Sequence, residues 1–239
     1  MRAALDLLRR IPGGAPRRIA DVYGGRGSMR ALLARRFPHA EIEAFDLSQS
    51  TYRVAELGPD PLRHEAAGRC LSKGRKFDLI CSNGSLEMAP SLPQLLPELL
   101  GMVAAGGCVA VEFPNDLYEP SRALLRMIAA DGPWAKILLP IAKTRPFNET
   151  MEGLYAVLGP LCATVDIWEA TYLHAMTGVA AIVEWMEATS LAPFLTPLSE
   201  ADRSKFLDRY VAELRQAYPA LPSGEVLFRS RRLFVFAQP

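Results

Sequence analysis

The sequence predicts an α/β fold, a Rossmann-like and mainly parallel sheet with helices on both faces. Short apolar runs alternate with amphipathic segments through the first half of the chain, and a glycine-rich turn follows the first run. Parallel neighbouring strands need a long crossover connection, so alternation at this spacing favours such a sheet. The length of 239 residues fits one domain over residues 1–239. We expect a C-terminal helical cap or lid, contributed mainly by residues 131–225.

The first half of the chain divides into short strands and helices by its apolar periodicity. A helix with Leu32, Leu33 and Phe37 on one face follows the first strand and ends at Pro38. A second helix is predicted from Pro93 to Ala104, closed by glycines at 106–107 that suit a C-terminal helix cap. The predicted strands are 18–22, 41–45, 77–82 and 108–113.

The second half is more helical. Two prolines predict a loop or lid from Lys136 to Met151. Ser199, with Asp202 three residues on, is the expected N-cap of a long amphipathic helix. The other predicted elements are a helix from Pro120, a strand over 165–174, a helix over 179–186 and a final strand over 233–237.

Charge and cysteine content exclude several classes of protein. The chain has 27 Lys and Arg residues against 26 Asp and Glu, too even a balance for electrostatic binding of nucleic acid or an anionic membrane. No apolar run is long enough for a membrane span, and the N-terminus lacks a secretory signal, so we expect a cytoplasmic protein. A protein partner is possible. The cysteines, which lack metal-ligand spacing and are expected to be structural, are Cys70, Cys81, Cys108 and Cys162.

The turn after the first strand carries the main functional signal. Asp21 is the second-last residue of the strand, and Gly25 and Gly27 lie in the turn, where glycine lets the backbone approach a ligand. Asp46 follows Gly25 by 21 residues, at the end of the second strand, where an acid can bind a ribose. Arg30 replaces the third small residue of a dinucleotide fingerprint, which counts against NAD. The alternative is a tight turn beside a solvated acid, with no ligand.

With these features in place, the chain resembles the trans-aconitate 2-methyltransferases and their close relatives over nearly its whole length. The C-terminal half is the more specific part, because glycine-rich turns are common. The stretches that carry the resemblance are 21–28, 77–83, Gly106-Gly107, Phe113-Pro114-Asn115, Glu119-Pro120-Ser121, 131–134, 165–168, 171–174, 183–185, Tyr210, 217–219 and 232–235.

The resemblance implies a class I methyltransferase fold, S-adenosylmethionine as methyl donor and a carboxylate of a small organic acid as acceptor. A carboxylate is ionised at pH 7 and needs no general base, so we name no catalytic residue. The implied cofactor residues are Asp21, Tyr23, Gly25, Gly27, Asp46, Leu47 and Asn83. The implied acceptor residues are Arg145, Tyr172 and His174.

Each of these residues also has a simpler structural interpretation. Asn83 with Gly84 could be a plain turn, and Arg145 a solvated loop arginine. His174 lies among apolar residues, where a hydrogen-bonded core histidine is common. The tryptophans are expected to be packing anchors, and the arginine clusters at 17–18, 35–36 and 229–232 to be solvated.

The chain departs from the family pattern at several points. Tyr23 stands at the first glycine position of the turn, and Ala67-Gly68 replaces an adenine-binding Asp-Leu pair. Residues 187–192 replace a Lys-Gly-Thr-Gly-Leu-Arg stretch and lose two positive charges. The sequence also begins about one helix into the family pattern. The change of charge over residues 187–192 predicts a different acceptor. Alternatively, the protein is a non-methylating partner, a regulatory subunit or a repurposed biosynthetic protein that has lost normal cofactor binding.

Overall fold

The computed structural model describes residues 2–22, 28–45, 74–84, 86, 91–143 and 150–239. Six strands in these ranges form one sheet in the order β2-β1-β3-β4-β6-β5. Their bounds are β1 Arg18–Val22, β2 Glu41–Phe45, β3 Phe77–Asn83, β4 Val103–Pro114, β5 Thr164–Met176 and β6 Val226–Gln238. The strand order and the helices around the sheet confirm the predicted α/β, Rossmann-like class.

The first four strands are parallel, as the alternation with helices requires. β1 pairs in parallel with β2 on one side and with β3 on the other, and β3 pairs in parallel with β4. The strand order therefore reverses at β1, and the carboxyl ends of β1 and β3 flank the reversal point. β6 is antiparallel to β4, which the alternation rule did not predict.

By its contacts the chain forms two compact units, which divide it within β5 and β6. Unit 1 comprises residues 1–114, 149–170 and 232–239. Its helices are α1 Arg2–Arg10, α2 Ser28–Arg36, α3 Leu92–Gly101 and α6 Met151–Leu158, which is followed by a short 3₁₀ turn. α1 and α3 pack against β4, and α2 packs against β2. Buried strand residues such as Ile19, Ile80 and Val111 fill the core of this unit.

Unit 2 comprises residues 115–148 and 171–231. Its helices are α4 Pro120–Ala130, α5 Ala135–Lys143, α7 Val179–Met186, α8 Ala192–Leu195 and α9 Glu200–Ala217, with a π-helix at Glu187–Leu191. They share one apolar cluster, which includes Trp134, Phe206 and Tyr210. Ser199 caps α9 as predicted, since its hydroxyl accepts a hydrogen bond from the Asp202 N–H at 3.2 Å. A cap over residues 131–225 stays a prediction.

The predicted C-cap at the Gly106-Gly107 pair is wrong. α3 already ends at Gly101, and β4 begins at Val103 and includes both glycines. The register with β3 is irregular here, and Gly106 has a φ of +76°. A Cβ on Gly107 would lie 2.6 Å from the Asp78 carbonyl oxygen. These glycines therefore allow an irregular, tightly packed stretch of strand, a role that sequence reasoning did not separate from a helix cap.

The predicted loop from Lys136 to Met151 is wrong over its first part. α5 runs from Ala135 to Lys143 with Pro140 inside it. Leu138 is fully buried in the apolar cluster of unit 2, and this burial offsets the backbone hydrogen bond that a proline removes from a helix. Among the described residues, no helix combines the length and the apolar character that crossing a membrane requires.

Candidate functional site

Asp21 is the clearest candidate site residue in unit 1. It lies one residue from the end of β1 and is fully buried. Neither carboxylate oxygen has a hydrogen-bond partner among the described residues. Burial raises the pKa of this carboxyl to about 6, and the positive charge of Arg30 on α2 offsets part of that effect. A buried carboxylate that has no partner in the described part of the chain is suited to a cationic ligand, because burying an unpaired charge is costly.

Asn83 is the last residue of β3. It is the other predicted cofactor residue that the structure describes. It lies on the strand beside Asp21, since Asp21 pairs with Cys81 in the sheet register. Ligands of open α/β sheets bind outside the carboxyl ends of the strands, at the point where the strand order reverses. The structure thus brings Asp21 and Asn83 to the two strand ends that flank this point. Gly84 follows with a φ of +74°, which glycine readily adopts.

An ion pair between a buried glutamate and a half-buried arginine lies one strand further along the same edge. Glu112 on β4 and Arg232 on β6 approach to 3.4 Å between Oε2 and Nη1, and their side chains are 2% and 22% exposed. Burial raises the pKa of Glu112, and the Arg232 guanidinium opposes that rise. The prediction that the 229–232 cluster is solvated is therefore wrong for Arg232. The signal that could have found this pair is the lone acid inside the apolar run 108–113.

Two of the three cysteines described in unit 1 lie inside the sheet, and the third, Cys162, is a half-buried free thiol just before β5. Cys81 and Cys108 are free thiols buried in β3 and β4. Burial raises the pKa of Cys108 to about 11 and that of Cys81 well above its usual range, with the Asp21 charge adding to the effect at Cys81. Both thiols are therefore protonated at neutral pH and unreactive. Within the described ranges no group of three His, Cys, Asp or Glu residues could hold a metal ion.

Tyr172 and His174, two of the residues that the resemblance assigns to the acceptor, lie on β5 in unit 2. They are half-buried and point to the same side, because strand residues two apart share a face. The His174 ring packs edge-on against Trp185, with 5.1 Å between centroids, and Trp185 packs in turn against Phe228. Trp185 is thus a packing anchor, as predicted, and an acceptor-binding role for Tyr172 and His174 stays a prediction.

The other predicted site residues lie outside the described residues. They are Tyr23, Gly25, Gly27, Asp46, Leu47 and Arg145.

The fold resembles that of solved class I methyltransferases. The YcgJ protein of Bacillus subtilis is similar with a TM-score of 0.58 and 12% identity, and all of each chain is covered. A candidate methyltransferase from Bacillus halodurans gives a TM-score of 0.52 at 12% identity, over 99% of this chain and 98% of that one. At this level of identity the likeness establishes the fold alone. The sheet, with its reversal at β1, is of the Rossmann-like class I methyltransferase type.

Sequence similarity identifies the family within that class. The trans-aconitate 2-methyltransferase of Methylobacterium radiotolerans is 39% identical over 240 residues, which cover 99% of this chain and 92% of the relative. The enzyme of that name from Yersinia pestis is 38% identical over 237 residues, with the same coverage. No protein-family profile matches the chain. The chain belongs to the trans-aconitate 2-methyltransferase family, which confirms the resemblance found in its sequence.

Proposed function

We propose that the protein is an S-adenosylmethionine-dependent O-methyltransferase that esterifies a carboxylate of a small organic acid other than trans-aconitate. The observation that carries the proposal is 39% identity to a trans-aconitate 2-methyltransferase over 99% of the chain. Identity at this level over the full length supports shared chemistry, whereas the choice of acceptor depends on individual residues of the site.

The described part of the cofactor site fits this ligand. S-adenosylmethionine carries an ammonium group on its methionine part, and Asp21 offers two buried carboxylate oxygens without a described hydrogen-bond partner. An ammonium beside this carboxylate would return its pKa towards the usual range and form charge-assisted hydrogen bonds. Asn83, at the neighbouring strand end, is placed to contribute donors or acceptors to the same ligand.

The reaction makes modest demands on the protein. Bound S-adenosylmethionine supplies an electrophilic methyl group, and an ionised carboxylate oxygen accepts it without a base. The side chains of the chain therefore have to bind both ligands, orient them and exclude water.

The proposal of a different acceptor depends on residues 187–192. In the resembling family this stretch carries two cations, and here it reads Glu187-Ala188-Thr189-Ser190-Leu191-Ala192. Glu187 is exposed at the start of the π-helix. Exchanging two positive charges for one negative charge weakens the binding of a triply charged acid.

Methyl transfer from radiolabelled S-adenosylmethionine to a panel of mono-, di- and tricarboxylic acids tests the proposal. We expect a base-labile methyl ester from at least one acid, with trans-aconitate a poor acceptor. Asp21→Asn should lower kcat/KM for the cofactor about 10- to 100-fold, the effect of losing a hydrogen bond to a charged group. The control Asp166→Asn makes the same chemical change at an exposed ion pair with Arg10 and should leave turnover intact.

Two results would contradict the proposal. Preferred methylation of trans-aconitate would overturn the change of acceptor alone. Absence of methyl transfer to every acid in the panel would overturn the enzyme assignment and favour the non-methylating alternative that Tyr23 and the Ala67-Gly68 pair suggest.

A further inference from the structure

A cavity of about 360 Å³ lies within unit 1, at the edge of the sheet opposite to the predicted cofactor site. Part of its lining comes from the loop 11–17, which leads into β1, and from residues 78–79 near the start of β3. Residues 105–108 of β4 add a third side. β6 is antiparallel to β4, so its last residues reach this amino edge of the parallel strands and complete the lining.

Buried apolar side chains form much of the wall of this cavity. Ile11, Leu79, Cys108 and Phe236 line it, and each of them is at most 8% exposed. Gly106 lines it as well, and a Cβ on this glycine would meet no atom within 4 Å, so the space beside its backbone is open. Sites for small molecules typically have apolar walls with a few polar groups, and their volumes begin at about 300 Å³.

Two residues of opposite charge line the same cavity and do not pair with each other. The Oδ2 atom of Asp78 accepts hydrogen bonds from the backbone N–H groups of Arg17 and Arg18, at 2.7 and 2.9 Å. Within the described ranges, no contact engages Oδ1 of Asp78 or the guanidinium of Arg17. The Gln238 side-chain amide donates to the Gly106 carbonyl oxygen at 3.4 Å, which leaves the amide oxygen as a further acceptor.

We propose that this cavity is a second ligand site, which binds a free α-amino acid with an apolar side chain. The ligand carboxylate pairs with the Arg17 guanidinium, and the ligand ammonium pairs with Oδ1 of Asp78. The ligand side chain packs against Ile11, Leu79 and Phe236. A guanidinium can bind a carboxylate through two parallel N–H groups, and such charge-assisted hydrogen bonds are about twice as strong as neutral ones. One charge of each sign beside an apolar wall matches this zwitterion.

Calorimetric titration of the full chain with leucine, methionine and phenylalanine tests the proposal. We expect at least one of them to bind with a dissociation constant below about 1 mM. The amide of that amino acid lacks the carboxylate, and its N-acetyl derivative lacks the ammonium. Each derivative should bind about 10- to 100-fold more weakly, the effect of losing a hydrogen bond between charged groups. Glycine should also bind weakly, because it has no side chain to bury.

Two variants assign the charges, and a third is the control. Arg17→Gln should abolish the difference in affinity between the amino acid and its amide. Asp78→Asn keeps an oxygen for the two backbone N–H groups, and it should abolish the difference between the amino acid and its N-acetyl derivative. Arg35→Gln makes the same change as Arg17→Gln at an exposed arginine of α2 and should leave binding unchanged. Arg17 is itself exposed, so its replacement should not disturb folding if Asp78→Asn does.

Three results would overturn this assignment. The first is no detectable heat with any of the three amino acids at about 10 mM. The second is equal affinity of the wild-type chain for the amino acid and for its amide. The third is binding that Asp21→Asn abolishes and Arg17→Gln leaves intact, since the ligand would then lie at the carboxyl ends of the strands. Methyl transfer is measured separately, so failure of this site leaves the proposed function standing.

Discussion

Replacing Asp21 by Asn should stabilise the ligand-free protein, and by an amount that depends on pH. Burial raises the pKa of Asp21 from 3.8 to about 6. The native state therefore binds the proton more tightly than the unfolded state, and the stability contribution of this residue falls as the pH rises between these values. The loss of stability caused by the buried, ionised Asp21 is small below pH of about 4. It reaches about 3 kcal/mol above pH of about 7.

Chemical denaturation of the ligand-free wild type and of Asp21→Asn at pH 4.5 and pH 8 measures this effect. Asp21→Asn should raise the free energy of unfolding above that of the wild type, and this increase should be about 2 kcal/mol larger at pH 8 than at pH 4.5. Packing changes caused by the amide cancel in this comparison, because they are present at both pH values. Ser82→Ala, at a buried position on β3 that does not titrate, is the control and should show the same difference from wild type at both pH values. If Asp21→Asn changed the free energy of unfolding equally at the two pH values, burial could not have raised the pKa of Asp21.

Three substitutions and one control test the packing of the fold. Gly107→Ala should cost more than about 2 kcal/mol in the free energy of unfolding, since its Cβ would overlap a carbonyl oxygen, whereas Gly101→Ala meets no atom within 4 Å and should be nearly neutral. Ser199→Ala removes the N-cap hydrogen bond of α9 and should cost about 1 kcal/mol by urea denaturation. Tyr218→Phe leaves the buried Ser121 N–H without its acceptor, and a loss of about 1–3 kcal/mol is expected in the same assay. An unchanged midpoint for Gly107→Ala, Ser199→Ala or Tyr218→Phe would contradict the corresponding contact.

The elements that the sequence predicted best are those with a local signal. The strands 18–22 and 41–45 have the predicted bounds, because short runs with apolar residues between turn residues identify strands. The N-cap Ser199 was found for the same reason, since a cap and its helix are neighbours in sequence. Asp21 could be located from its place before a glycine-rich turn, although its burial and its raised pKa become visible only in the folded chain.

The errors all involve interactions between distant parts of the chain. Gly107 packs against the backbone of β3, and Pro140 lies in a helix that packing of its neighbour Leu138 stabilises. The partnership of Glu112 with Arg232 depends on the antiparallel placement of β6. A single sequence records neither strand order nor register, so these contacts could not be derived from it.

The most direct test of the central claim is a calorimetric titration of the wild-type chain with S-adenosylhomocysteine. The account predicts micromolar binding at pH 8. It also predicts about tenfold weaker binding at pH 5, where a carboxyl with a pKa of about 6 is mostly protonated and cannot pair with the ligand's ammonium. Asp21→Asn should bind weakly at both pH values. No detectable heat with millimolar ligand at pH 8 would contradict the claim that this chain binds the methyl donor of its family.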